Sequence, residues 1–600
     1  MNGFYNGIQT LVPFSEWKPD NVWEGEQPNP EKLSGDLRSV EPRSHNLLPY
    51  SPYPLYKSTA YLNEFEKVEE CYLDARDTIP PPDLMAYRGI PQGMTQPSFG
   101  SYEELDIRRD VCFDRFGRFG PYGFGYDIEQ GGLGTGIIGE RNGSEEVWKE
   151  QPQIDFRGIN WGLAQKRCAQ KNLHRFADKE DSKDGKRKIP RTAMILRAWT
   201  GFVWTPQAIM NMRALVSELN LKSGGEYEVF LLLHVKDESL PIWTSDAVYR
   251  QVLEENIPRE FWDLTILWNV PLMSLYYPGP FENNIANMNG GPIHGVYRSA
   301  HFAMQWFSQN HPEFDYVWNW EMDMRYSGHY YELLNQVSAW AKRQPRKGLW
   351  ERSAKYWIPR LHGSYANFTK TVHDETLTAG ALPIWGPVRF PIEGHLPESQ
   401  DDLPPSSWFE DTYSWGVNEE ADLITFNPLF DPTITDWVFR DDITGWLLDL
   451  PPPPRRIAII TASRLSKRLL STMHDEVYKL KHSAFAEMFP PTIAFHHGFK
   501  AAYAPHPVYF DRNVPLDWLD ATFNYPKSAA DSVFGSRGEA NHGGSSFYYN
   551  ADFSGALWRR WLGQRERDEG GARQEMEGTG RMCLRGTLFH PIKYEDLPED

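Results

Sequence analysis

The chain has 600 residues, 40% hydrophobic and 24% charged, which is enough apolar material for a large core divided into sub-domains. Its 62 Lys+Arg against 81 Asp+Glu give a net charge of −19, which excludes nucleic acid as the main partner because phosphate binding needs a basic surface. Aromatic residues make up 14%, including 23 Trp, and serve either as core packing or as flat faces for a ring-shaped ligand such as a sugar.

The first residues, "MNGFYNGIQTLVPFSEWKPD", have neither the basic nor the apolar segment of a signal peptide. No 18-residue apolar run occurs, so no transmembrane helix is expected. Residues 1–110, with "LLPYSPYPLYKSTAY" and "TIPPPDLMAYRGIPQG", are too proline-rich for long regular elements and read as an extended Pro/Tyr-rich arm over the body. Residues 111–190 hold a glycine- and aromatic-rich loop, Arg115 to Gly136, and a charged linker, Asp178 to Lys188. Four cysteines allow one bridge, with Cys71 and Cys112 the expected pair, and sequons stand at Asn142 and Asn367.

Residues 191–345 read as an α/β half. "TAMILRAW" is a buried strand ending near Arg197 and Thr200. "TPQAIMNMRALVSELNLKSGG" is a helix with Thr205 as N-cap, Pro206 in the first turn, and Gly224-Gly225 as its stop. "YEVFLLLHVKD" closes a second strand on Lys236 and Asp237, and "DLTILWN" is a third. "VYRSAHFAMQWFSQ" has helical spacing that leaves Arg298 and His301 opposite its apolar face. "YVWNWEMDMR" is the next strand and "YYELLNQVSAWAKRQ" the next helix.

Alternating strands and helices mean a doubly wound, mostly parallel sheet with helices on both faces. Ligands of such sheets bind outside the carboxyl ends of the strands, the rim assigned to Arg197, Thr200, Lys236, Asp237, Glu321 and Asp323. Residues 346–562 supply further strands, "ADLITFNPLFDP" and "RRIAIITAS", and the helix "ASRLSKRLLSTMHDEVYKL". Residues 563–600 read as a flexible charged tail.

The informative stretch is Glu321-Met322-Asp323. Strand alternation puts Glu321, Asp323 and Arg325 on one face. Two crowded carboxylates repel unless a cation neutralises them, and hard oxygen ligands suit Mg²⁺ or Mn²⁺. Alternatively, the acids simply pair with Arg325 and solvent.

An acid-x-acid pair ending a buried strand in an alternating βα half resembles the GT-A glycosyltransferases, the nucleotide-diphospho-sugar transferase fold. That resemblance implies a divalent cation held against a sugar nucleotide's diphosphate. The wider sequence, through "VWNWEMDMRYSGHYYELL", "WGVNEEADLITFNPLFDP" and "MFPPTIAFHHGFKAAYAPHPVYF", resembles a fungal family catalogued as a domain of unknown function, over residues 100 to 560. Trp415-Gly416 followed by Glu419 and Glu420 is similar to the acidic loop of some inverting galactosyltransferases, which implies one of these acids as the acceptor's base, with Glu410 and Asp411 as competitors. The resemblance also implies a late histidine as third metal ligand, with His497 chosen among His496, His497 and His506, and Lys500 on the diphosphate. Arg197, Thr200, Asp237 and Arg298 are the expected nucleotide contacts. The expected function is a metal-dependent glycosyltransferase using Mn²⁺ or Mg²⁺ and a UDP-sugar or GDP-mannose on a hydroxyl acceptor. The alternatives are a glycoside hydrolase and a non-catalytic carbohydrate-binding protein. The resemblance points to the Golgi or secretory lumen, while the N-terminus leaves a cytoplasmic location open.

Overall fold

The computed structural model describes residues 4–19, 46–134, 144–176, 186–281, 291–380, 383–388, 404–405, 407–446, 451–524, 543–566 and 569–595. The sequon at Asn142 and most of the charged linker lie outside them; Asn367 is exposed in the first turn of a helix.

Helix α1 (Trp161–Lys171) precedes strand β1 (Thr192–Trp199), whose buried run matches the apolar octet. Thr205 caps α2 (Pro206–Leu215) by accepting the Ala208 N–H at 3.1 Å. The single helix expected here changes to a π-helical turn over Val216–Leu221. Glu218 of that turn is buried, accepting from Arg118 at 2.7 Å, Tyr122 at 2.9 Å and the Tyr330 N–H at 2.7 Å. Then come β2 (Tyr227–His234), α3 (Asp246–Asn256), β3 (Thr265–Trp268), α4 (Val296–Asn310), β4 (Tyr316–Glu321) and α5 (Tyr330–Arg343). The second half adds β5 (Leu423–Thr425), β6 (Ser463–Ser466), α6 (Lys467–Leu480), α7 (Phe489–His496) and β7 (Ala501–Tyr503).

These strands form one seven-stranded sheet in the order β3-β2-β1-β4-β6-β5-β7. All neighbours are parallel except β6, which runs antiparallel to β4 and β5. The fold is α/β as expected, with the strand order reversing between β1 and β4. The register there sets Arg197 beside Glu321. Helices cover both faces. Trp320 meets Tyr330 of α5 at a ring distance of 6.2 Å, whereas Asn319, its neighbour on the opposite face, lines a small cavity with Ala300 and Met304 of α4.

Four expectations change. The strand assigned to "RRIAIITAS" is instead Ser463–Ser466, taken from residues read as the start of the next helix. The arm is not merely extended, because Leu47–Tyr50, Leu84–Arg88 and Val111–Cys112 form a three-stranded antiparallel sheet. Residues 563–566 and 569–595 are not a loose tail, since Leu588–Phe589 pairs with Arg325–Tyr326 and Gly571–Glu577 is helical. The cysteines pair as Cys71–Cys168 and Cys112–Cys583 rather than Cys71–Cys112. The second bridge fastens the carboxyl-terminal segment to the amino-terminal sheet. Among the described residues no helix is long and apolar enough to cross a membrane.

Candidate metal centre

Strand β4 stops at Glu321 because the chain turns there, the Met324 N–H returning to the Glu321 carbonyl at 3.2 Å. Strand alternation therefore ends at Glu321, two residues before Asp323, and Arg325 does not share the face of the two acids. Arg325 is buried and clamps the turn from behind, donating to the Met322 carbonyl at 2.6 Å, the Met324 carbonyl at 2.9 Å and Glu595 at 2.8 Å. The carboxyl-terminal segment wraps the same turn, its Ile592 N–H bonding the Asp323 carbonyl at 2.8 Å. That segment brings in His590.

Ligand atoms of Glu321, Asp323 and His590 all lie within 4.8 Å of one another. His590 Nε2 is 3.1 Å from Glu321 Oε2 and 3.5 Å from Asp323 Oδ1, while Nδ1 lies 3.2 Å from the Tyr548 carbonyl. A proton on Nδ1 donated to that carbonyl leaves Nε2 as the ligand atom, the orientation that metal-binding histidines take. The other carboxylate oxygens are occupied. Arg197 donates to Glu321 Oε1 at 3.0 Å, Thr461 bonds the same oxygen, and Lys593 pairs with Asp323 Oδ2. Glu321 and Asp323 keep 22% and 20% of their side-chain surface open, so the centre is neither buried in packing nor sealed.

The electrostatics fit a cation. Burial opposes ionisation of Glu321, but the His590 bond and the Arg197 charge outweigh it and lower its pKa to about 2. Asp323 is shifted down in the same way by His590 and Lys593 against burial. Burial would discharge His590, yet the two carboxylates overcome it and raise its pKa to about 9. The imidazolium proton thus sits between the carboxylates, where a divalent ion would lie. Two oxygens and one imidazole nitrogen form a donor set suited to Mn²⁺ or Mg²⁺, with Mn²⁺ the better match for nitrogen.

The chain belongs to the family described as "Protein of unknown function (DUF3405)", whose profile matches residues 112–594. No curated protein matches the sequence. The family match runs past residue 560 to include His590 and Lys593, so the part of DUF3405 present here supplies the whole cluster.

One further acid belongs to this rim. Glu487 is half-buried and lines a cavity of about 20 Å³, room for a single water, together with Asn319, Thr461 and His301. Its Oε2 has no hydrogen-bond partner among the described residues. Burial and, to a lesser degree, the charge of Glu321 raise its pKa to about 8.

Arg197 reaches the centre, and Thr200 and Asp237 end their strands on the same rim. There Thr200 Oγ1 accepts the Lys236 N–H at 3.1 Å, while Asp237 caps its own turn through Ser239. None of the remaining choices is among the three ligands, although His301 lines the Glu487 cavity. Arg298 is buried, donating to Asp442 at 2.7 Å, and does not face solvent. His301 is buried too, stacked on Phe489 at 4.5 Å. His497 shares Glu476 with His482, at 2.8 Å and 2.5 Å, and is not part of the three-ligand cluster. His496 and His506 bond the carbonyls of Pro454 and Phe426. Glu419, Glu420 and Lys500 precede β5 and β7 at the amino end of the sheet, the opposite rim from Glu321. Asp411 caps a turn at Ser414, and Glu410 is exposed beside it. Sequence reasoning missed His590, Thr461, Lys593 and Glu487.

Proposed function

We propose that this protein is a metal-dependent glycosyltransferase that moves a sugar from a nucleotide-sugar donor, a UDP-sugar or GDP-mannose, to a hydroxyl acceptor. The observation that carries the reading is the convergence of Glu321, Asp323 and His590 at the carboxyl end of β4, beside the point where the strand order reverses, the usual crevice for ligands of open α/β sheets. A doubly wound sheet with an acidic pair there supports the GT-A resemblance. Glu321, Asp323 and His590 would hold a divalent cation, which would offset charge on the diphosphate leaving group.

The chain's own residues supply the rest. The Tyr548 carbonyl fixes the His590 ring so that Nε2 faces the carboxylates. Arg197 holds Glu321 in place and adds positive charge where the donor's phosphates would lie. Glu487, beside the centre with its Oε2 unpartnered among the described residues, takes the place of Glu419 and Glu420 as the acid that accepts the acceptor's proton in an inverting reaction, acting in its ionised form. Two disulfides support an oxidising compartment such as the secretory lumen.

The test is a panel of nucleotide sugars incubated with Mn²⁺ and scored for donor hydrolysis, beside thermal shifts with UDP and GDP. One nucleotide should raise the melting temperature only with metal present and Asp323 intact. A shift with free sugar but no nucleotide, or no shift with either, would sink the transferase reading.

A further inference from the structure

A second concave site stands apart from the metal centre. A cavity of about 180 Å³ opens between the amino-terminal residues, the segment around residue 100 and the carboxyl-terminal segment. Its lining includes Phe14, Trp17, Tyr102, Arg109, Arg360 and Arg585. Three arginines face one glutamate there, Glu103, in a chain whose net charge is −19.

The arrangement is ordered. Arg585 is 3% exposed and lies 3.8 Å over the Tyr102 ring, with the Trp17 ring centroid at 5.7 Å. No carboxylate lies within ion-pair distance of it among the described residues, although buried charges ordinarily have a counter-ion. Its Nε and the Trp17 Nε1–H have no acceptor among the described residues either. Arg109 lies 4.5 Å over Phe14 and, among the described residues, pairs only with the exposed Glu103, whose side chain is 72% open. Phe14 and Trp17 stack on each other at 5.8 Å. The pocket therefore combines flat aromatic faces with excess guanidinium charge. Aromatic faces take the apolar side of a sugar ring, and guanidinium takes a carboxylate, sulfate or phosphate through paired N–H bonds.

We infer that this pocket is a binding site for an anionic saccharide, a sugar unit bearing a carboxylate, sulfate or phosphate. The site stands on its own residues, whichever reaction the metal centre supports. Arg585 lies only five residues from His590, so at most roughly 17 Å of extended chain separates the two.

Calorimetric titration of the full chain in EDTA tests this, because without a cation the metal centre cannot hold an anion through a bound ion. The probes are a glucuronic-acid disaccharide, a 6-sulfated N-acetylglucosamine disaccharide and mannose 6-phosphate, with cellobiose as the neutral control. At least one anionic probe should bind with Kd of about 1 mM or tighter, and which one does so identifies the anion. The surface variant Arg109→Gln/Arg360→Ser should weaken that binding by at least about tenfold, and Trp17→Ala by a similar factor, with melting temperatures checked for all. Binding of cellobiose as tight as any anion, binding unchanged in the arginine variant, or no binding of the three anions below about 10 mM would overturn the inference.

Discussion

The two rims of the central sheet carry similar residues and opposite designs. At the amino end, the three acids that precede β5 each have a cationic partner. Glu419 receives two bonds from Arg346, Glu420 pairs with Lys342 at 2.8 Å and Arg464 at 3.3 Å, and Asp422 pairs with Arg468 at 2.6 Å. Lys500 spends its three donors on the carbonyls of Lys342, Gly416 and Glu419. At the carboxyl end, Glu321 and Asp323 give one oxygen each to cations and turn the other towards a single imidazole nitrogen. Charge density does not separate a ligand site from a structural network; what separates them is whether donor atoms of the same polarity are left facing one another.

The sharpest break of that comparison is removal of a ligand. Asp323→Ala or His590→Ala should cost at least about a thousandfold in Mn²⁺ affinity, roughly 4 kcal/mol, read by calorimetry or by the Mn²⁺ resonance signal. Glu419→Gln should leave that affinity unchanged. Equal loss in both rims would erase the distinction.

The amino rim should respond in stability instead. Lys500→Met leaves three carbonyls without their donor and should cost about 3 kcal/mol in urea unfolding, with Mn²⁺ affinity within about twofold of wild type. The two disulfides divide in the same manner. Replacing Cys112 and Cys583 by serine should cost about 2–3 kcal/mol and, by loosening the segment that carries His590, weaken Mn²⁺ by about tenfold. Replacing Cys71 and Cys168 should lower the melting temperature without that metal effect.

What the sequence made legible follows from how local each signal is. Strands β1 to β4 are apolar runs bounded by caps and glycines, and the acidic pair stands at the end of one of them, so both could be read directly. Strand β6 could not. Ser463-Arg464-Leu465-Ser466 has no apolar run, merges into the periodicity of α6, and exists because β4 and β5 each offer it an antiparallel edge. His590 was hidden because it joins Glu321 from 269 residues away, in a stretch read as a charged tail. Cys583 was the available warning, since a disulfide in the middle of a tail holds that tail against the body. The acids at Glu419 and Glu420 misled because their residue types suit catalysis while their partners, Arg346, Lys342 and Arg464, are set by the fold alone.

Glu487 offers the finest distinction, because one of its oxygens has no partner among the described residues while its pKa marks a cost to the fold. An unfolded carboxyl of this type titrates at 4.5, and the folded one at about 8. Below the lower value both states carry the proton. Between the two, the folded chain keeps a proton the unfolded chain has lost, so stability falls as pH rises through this window, and above about 8 the full cost of the buried charge is present. Glu487→Gln, which cannot ionise, should match wild type near pH 4 and exceed it by a margin that grows as the pH rises to 9, measured in EDTA so that no cation alters Glu321. An advantage of the same size at both pH values would mean that Glu487 is ordinary packing. No turnover with Mn²⁺ in the glutamine variant, with metal affinity intact, would assign the proton transfer to this residue rather than to the amino rim.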